Sequence, residues 1–405
     1  MSAADTGRVV DAWRALRGGD AASAALATVV HVQGSAYRRP GARMLIRPDG
    51  TRVGSISGGC LDGDVVRKAW WATAHDRPAL RVYDTTSDDD AVWEFGLGCN
   101  GVVHVLLERV AWPETSAALA FLDARRTDRR PGAIATVVAS DDASSARVGD
   151  RLLLDEAGRR GGALAASPFA RHVAAAACSA LAEGASHLLH LDGCDVFVEA
   201  VRPPTALVVF GAGHDALPLV ALGKSLGWHV TVADRRAAHA RRERFPDADR
   251  VLLVDRDDPL AEIALDDDTA VVLMTHDYAQ DASLLDALAP RAPRYLGLLG
   301  AASRARRLLA EAGLDHEALP FLHAPIGLDI GAETPEEIAL AVTAEIRAAF
   351  AGRAGGVLRG RAAPIHEAVA ERGAPGAVRR PPRVAAVCAL SAPEGAPAHG
   401  LAANA

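Results

Sequence analysis

Three stretches of this chain combine residue types that handle thiolates, anions and protons. The first is Gly54-Ser55-Ile56-Ser57-Gly58-Gly59-Cys60-Leu61-Asp62-Gly63-Asp64, where a cysteine follows two glycines as a short apolar strand gives way to a helical pattern. Glycines let the backbone turn sharply and let another group approach it. The start of the following helix leaves N–H groups that favour an anion or a thiolate. Read this way, Cys60 belongs to a site; the competing reading is a buried structural thiol. The second stretch, Leu207-Val208-Val209-Phe210-Gly211-Ala212-Gly213-His214-Asp215-Ala216, is a strand, a glycine turn and a helix start in the pattern G-x-G-x-x-A. Asp234 closes the next strand 21 residues after Gly213. Gly211 and Gly213 permit a tight turn and close pyrophosphate approach, and Asp234 suits a ribose hydroxyl. Arg235 and Arg236 either favour a 2′-phosphate or are solvated surface, and Asp215 puts negative charge beside the phosphate position. The third group sits at later strand ends. Met274-Thr275-His276-Asp277 offers His276 and Asp277 as ligand contacts, an acid/base pair or metal ligands, with helix capping the plainer role for Asp277. Gly297-Leu298-Leu299-Gly300 leads into Ser303-Arg304-Ala305-Arg306-Arg307, a helix start that could face phosphate. Gly327 and Asp329 lie in a glycine-rich loop before Thr334-Pro335-Glu336-Glu337, which carries an N-cap, a proline at the first helical position and a capping-box glutamate.

The elements that must position these residues fall into three regions and a tail. Strands are expected over 27–32, 44–47, 52–56 and 102–107, with a helix over 61–74 between them. Residues 112–202 read as a degenerate copy of that unit. Ala27-Thr28-Val29-Val30 recurs as Ala135-Thr136-Val137-Val138, and Gly41 through Ile46 recurs as Gly149 through Leu154, both 108 residues on. Gly50 matches Gly158 at the same offset, and Gly98-Cys99 is echoed by Gly193-Cys194. The copy carries Ala166-Ser167-Pro168 where the first unit has Gly58-Gly59-Cys60, so it keeps the scaffold without the site. After the stiff break at Pro203-Pro204, strands at 206–210, 228–233, 250–254, 270–274 and 294–299 alternate with helices, and a last helix runs over 334–350. That alternation means a parallel sheet with right-handed crossovers. The fold class is α/β: a duplicated, strand-rich α+β region (1–111 and 112–202), a Rossmann-like doubly wound parallel sheet (203–350), and an Ala/Gly/Pro/Arg-rich tail (351–405) expected to be disordered.

Composition narrows the function classes. A chain of 405 residues, 50% apolar, has room for two or three domains. A net charge of −7 argues against a general nucleic-acid binder. The start, Met1-Ser2-Ala3-Ala4-Asp5, has neither a basic nor an apolar leader region, and no apolar run approaches a membrane span. The five cysteines (Cys60, Cys99, Cys178, Cys194, Cys388) form no C-x-x-C pair, which disfavours a disulfide framework or a four-cysteine zinc site. The expectation is a cytoplasmic protein with free thiols.

Over residues 9–350 the chain resembles the xanthine dehydrogenase accessory factor family (XdhC/CoxI). The residues that carry the resemblance are Ser57-Gly58-Gly59-Cys60-Leu61, Gly96-Leu97-Gly98-Cys99, Phe210-Gly211-Ala212-Gly213-His214, Thr275-His276-Asp277 and His323 through Glu337. The resemblance implies a non-catalytic chaperone that binds molybdenum cofactor (molybdopterin or its dinucleotide form), protects it while a cysteine desulfurase supplies sulfur, and inserts it into a molybdenum hydroxylase. Related members accompany carbon monoxide dehydrogenases. Asp62 replaces a usual Glu, Asn100 a common Gly, and Asp215 a typically apolar residue. Ala301-Ala302 stands where Ser-Arg is frequent, which removes an anion contact. Thiolates suit a soft molybdenum centre. Cys60, joined by Cys99, is therefore expected to face the cofactor across a crevice formed by Gly211, Gly213, His214, Asp234, His276, Asp277, Gly300, Gly327 and Asp329, with Cys60 as a molybdenum contact. The rival reading is an NAD(P)-dependent oxidoreductase with His276 or His214 in acid/base work. Expected partners are a hydroxylase client and a cysteine desulfurase, with a homodimer left open.

Overall fold

The computed structural model describes residues 3–18, 23–59, 61–75, 77–84, 101–111, 116–143, 145–191, 193–315, 319–362, 365 and 370–373. The first unit opens with α1 (Ala3–Arg14), then β1 (Ser23–Gly34), β2 (Arg43–Ile46), β3 (Arg52–Gly54), α2 (Asp62–Ala72), β4 (Ala79–Asp84) and β5 (Gly101–Ala111). Its strands form an antiparallel sheet in the order β3-β2-β1-β5-β4. Successive side chains of a strand point to opposite faces. Ala25, Ala27 and Val29 of β1 therefore pack with Leu61, Val65 and Ala69 around α2, while Ala24 and Leu26 pack with Val9, Val10 and Trp13 of α1. Burial on both faces explains why β1 reads as a continuous apolar run rather than as an alternation.

The second unit contains α3 (Ala117–Thr127), β6 (Gly132–Ser140), β7 (Arg151–Asp155), β8 (Arg160–Gly161), α4 (Ala170–Glu183), β9 (His187–Leu191) and β10 (Cys194–Val201). Its sheet runs β8-β7-β6-β10-β9, the same connectivity as the first. The pairing register agrees as well. Thr28 opposes Arg43 between β1 and β2, and Thr136 opposes Arg151 between β6 and β7. Gly54 ends β3 with φ of +86°, and Gly162, directly after β8, has φ of +91°. A Cβ on either would lie 2.3 Å from a backbone oxygen, that of Arg43 or of Arg151.

The two units face each other through reciprocal contacts. Arg43 of the first pairs with Glu199 of the second at 2.5 Å, both side chains 4% exposed, and Arg151 of the second pairs with Glu108 of the first. Between α1 and α3, Arg14 meets Asp123 and Arg126 meets Asp11, each at 2.6 Å. Contacts that swap in this way are those of a two-fold related, isologous interface.

The third region holds β11 (Ala206–Phe210), α5 (Ala216–Ser225), β12 (His229–Asp234), β13 (Arg250–Leu253), β14 (Thr269–Leu273), α6 (Tyr278–Leu288), β15 (Tyr295–Leu298), α7 (Ala302–Glu311), β16 (Leu322–His323) and α8 (Pro335–Phe350). The strands are parallel in the order β13-β12-β11-β14-β15-β16. This is the order of a dinucleotide-binding sheet, and its crevice opens at the carboxyl ends of β11 and β14, where the winding reverses. Helices α5 and α8 cover one face, and α6 and α7 the other. Arg129 binds the Pro204 carbonyl and Asp266, and Arg202 pairs with Asp268, so these contacts to the second unit lie at the amino ends of the strands. Among the described residues no helix is long and apolar enough to cross a membrane.

Part of the segment expected to be disordered from residue 351 onward is described: residues 351–362 include a single helical turn at Leu358–Gly360. Residues Ala370–Gly373 form β17, which pairs in parallel with β9. An open sheet edge offers unpaired N–H and C=O groups to any extended segment, whatever its side-chain pattern, so periodicity gives no warning of such a strand. Most of the remaining tail, including Cys388, lies outside the described residues.

Candidate functional site

The turn before α2 is built by side chains that the glycines leave room for. Asp62, buried, accepts hydrogen bonds from Ser57 Oγ (2.8 Å) and the Ile56 N–H (3.3 Å) through Oδ1, and from Ser55 Oγ (2.8 Å) through Oδ2. Ser57 Oγ in turn accepts from the N–H groups of Gly59 (3.0 Å) and Leu61 (3.1 Å). The amides of Gly59 and of Leu61, at the helix N-cap, are thus already bonded internally. Gly59 takes φ of +113°, and a Cβ placed there would meet no described residue within 4 Å. The ring of Tyr37, 68% exposed, lies against Gly58, 3.5 Å from where a Cβ would stand. Cys60 and Cys99 lie outside the described residues. In the second unit the equivalent stretch is a single helical turn, Ala163–Ala166, closed by Ser167 Oγ donating to the Leu164 carbonyl. Cys194 there is buried, and burial, then Asp195 and Asp150, push its thiol up to about 12. It is a protonated core residue.

In the third region the glycine turn forms as expected but is filled from within. Gly211 has φ of +114°, and any Cβ would lie 2.2 Å from the Met274 carbonyl oxygen, so only glycine lets β11 end against β14. Asp234 is 1% exposed, with both oxygens engaged. Oδ2 accepts from the Ala212 N–H and Arg236 Nη2, both at 2.8 Å, and Oδ1 from the N–H (2.8 Å) and Nε (2.9 Å) of Arg236. Burial alone would raise this carboxyl, but those hydrogen bonds outweigh it and hold it down to about 2. His214 is exposed. Asp215 Oδ2 is hydrogen-bonded to His276 Nε2 at 2.7 Å. His276 is 64% exposed and has φ of +58°, an uncommon conformation for a non-glycine residue. Asp277 caps α6 by accepting from the Gln280 N–H (3.0 Å) and pairs with Arg235; the Gln280 N–H, more than Arg235, keeps its carboxyl below the ordinary value. Thr275 beside it donates to buried Asp281 (2.6 Å), which also holds Arg304 (2.6 Å).

The far rim is fixed by a residue that the motif reading does not mark. Glu345 of α8 accepts from the Gly327 N–H (2.8 Å) and from the hydroxyl of fully buried Tyr295 (2.5 Å), and meets His323 Nδ1 at 3.2 Å. Burial pushes its carboxyl up, but His323, Tyr295 and the Gly327 amide more than compensate and hold it low. His323 stacks on Tyr295 with centroids 4.3 Å apart. The available signal is a lone acid on the apolar side of α8, beside Ala341, Val342 and Ile346. Gly297 makes room for Ile326, and Gly300 turns with φ of +130° beside Arg304. Thr334 and Glu337 form the expected capping box, and Asp329 is exposed. A small cleft lined by Asp215, Met274, Leu299, Ile326 and Val342 lies between β14 and α8. Around it the structure gathers Gly211, Gly213, His276 and Gly327, whereas Asp234 is turned inward. Among the described residues no three histidine, cysteine or acidic side chains cluster as metal ligands.

Two α+β units of identical connectivity, the first with a glycine turn tied to Asp62 through Ser57, followed by a Rossmann domain define the class of protein. Family models match the chain accordingly, the XdhC Rossmann domain at residues 207–346 and the XdhC and CoxI family at 20–84 and 125–192. It is 36% identical over 330 residues to a Bacillus subtilis protein described as a probable subunit of xanthine dehydrogenase, covering 81% of this chain and 93% of that one. It is 26% identical over 328 residues to the molybdenum cofactor insertion chaperone PaoD of Escherichia coli, covering 80% and 82%. A crystal structure described as a xanthine dehydrogenase from Bacillus halodurans superposes with a TM-score of 0.70 at 30% identity, over 87% of this chain and 97% of the other. The chain belongs to the XdhC and CoxI family.

Proposed function

We propose that this chain is a maturation factor that binds molybdenum cofactor, supports its sulfuration and inserts it into xanthine dehydrogenase or a related molybdenum hydroxylase. The supporting observation is the turn at residues 57–62. Asp62 and Ser57 tie its described residues together by hydrogen bonds, Gly59 has no described residue within 4 Å of a Cβ position, and Cys60 follows Gly59 in the sequence. When bound, the cofactor supplies an anionic pterin with a soft oxo/sulfido molybdenum centre, for which a thiolate is a suitable contact. In this reading Cys60, with Cys99, holds or shields the metal end. The crevice residues His214, His276, Asp277, Gly300, Gly327 and Asp329 form the rim for the remainder, while Gly211, Gly213 and Asp234 shape its floor. The client hydroxylase and a cysteine desulfurase are the partners. The oxidoreductase alternative has the glycine turn in its favour, but Asp234 has no free oxygen for a ribose.

The test is transfer to a cofactor-free hydroxylase. Wild-type chain loaded with cofactor should restore hydroxylase activity. The Cys60→Ser variant should deliver it more weakly by about 10- to 100-fold, the usual cost of disturbing a metal's immediate surroundings. Normal binding and delivery by Cys60→Ser would remove Cys60 from the site. Absence of any cofactor on wild-type chain would remove the function itself.

A further inference from the structure

In a Rossmann sheet a diphosphate lies on the first glycine turn, against the N–H groups that open the following helix. Here that place is taken. The Asp215 carboxylate is folded back over Gly213, so that a Cβ built on Gly213 would lie 2.4 Å from Asp215 Oδ1. Its other oxygen is held by His276 Nε2 at 2.7 Å. His276 is itself fixed, because the residues on both sides of it are tied down. The Thr275 hydroxyl donates to buried Asp281 and accepts from the Asp277 N–H (3.1 Å), and Asp277 caps α6. The peptide beneath is pinned too, with the Ala212 N–H on Asp234 and the Ala212 carbonyl on Arg244 Nη1 (2.7 Å). The acid that would grip a ribose is buried and fully hydrogen-bonded by Ala212 and Arg236.

We propose that Asp215 and His276 form a latch across the glycine turn that excludes diphosphate ligands. The glycine turn then seats the diphosphate of neither a nicotinamide dinucleotide nor a dinucleotide form of a pterin. Exclusion has two physical parts. The carboxylate occupies the surface that a phosphate oxygen needs, and its negative charge repels the phosphate at close range. The statement about a pterin dinucleotide rests on the function proposed above; the exclusion itself does not.

Calorimetric titration of the full chain with NAD, NADP and inorganic pyrophosphate separates the two parts. The wild type should bind none of the three below millimolar concentration. Asp215→Ala, which removes both the bulk and the charge, should bind pyrophosphate and the dinucleotides tighter by about tenfold or more. Asp215→Asn keeps the shape and a hydrogen bond to His276, and should show a smaller gain. Thermal unfolding of each variant checks that the domain remains folded. Micromolar binding of NAD or NADP by the wild type overturns the latch, as does unchanged affinity in a folded Asp215→Ala chain. Neither outcome bears on whether wild-type chain retains and delivers molybdenum cofactor, which the transfer assay measures.

Discussion

Ser57 Oγ is the centre of the glycine–cysteine turn. It donates to Asp62 and accepts from two backbone N–H groups, so one hydroxyl sets the path of residues 57–61. Removing an acceptor from enclosed amides costs their desolvation, whereas an exposed serine would cost almost nothing. Ser57→Ala should therefore lower stability by roughly 1–3 kcal/mol in urea unfolding. The same variant frees the turn and should change the rate at which Cys60 is alkylated, followed by mass spectrometry of the Cys60 peptide. An unchanged rate would show that the hydroxyl supports the fold without positioning the thiol. At this scale the sequence marks where glycine permits a turn, because φ and steric limits are local. It does not mark what satisfies the turn. Asp62 lies in the first turn of α2, and only the fold shows its carboxylate reaching back to Ser55, Ser57 and the Ile56 amide.

At the scale of elements, equivalent glycines in the two units make a matched test. Gly54 and Gly162, 108 residues apart, each have positive φ and no space for a Cβ, since a backbone oxygen lies 2.3 Å away. Gly50 and Gly158 share that offset and have φ of +81° and +78°, but a Cβ on either would meet no described residue within 4 Å. Alanine at Gly54 or Gly162 should cost strain plus overlap, together about 2–5 kcal/mol, and alanine at Gly50 or Gly158 strain alone, about 1–2 kcal/mol. Urea midpoints of the four variants should fall into two pairs by position in the unit. The parallel sheet is legible in sequence because its central strands β11 and β14 are fully buried runs, and the capping box at Thr334 is legible because it is local. Glu345 is not, because its partners Tyr295, His323 and Gly327 come from other parts of the chain. The same holds for Asp234. Its position announces a ribose ligand, and only the fold shows Arg236 and the Ala212 amide consuming both oxygens.

For the whole molecule, the reciprocal pairs decide how the two N-terminal units hold together. Arg43–Glu199 joins β2 to β10 and Arg151–Glu108 joins β7 to β5, equivalent strands in exchanged roles, yet the pairs differ in burial. The first pair is 4% exposed on both sides, and the second 15% and 9%. A buried ion pair adds little net stability over an apolar replacement, but removing one member strands the other charge in a poor solvent, at about 3–5 kcal/mol. Glu199→Gln keeps the shape while leaving Arg43 uncompensated, so it should approach that loss. Glu108→Gln should lose less, because water reaches Arg151 more easily. Arg126→Ala breaks a contact whose Asp11 side chain is 58% exposed, and it should cost no more than about 1 kcal/mol. Urea unfolding of the three variants should give that order. Equal losses for Glu199→Gln and Arg126→Ala would mean that apolar packing across Val9, Trp13, Leu119 and Ile134, rather than the exchanged ion pairs, fixes the two units against each other.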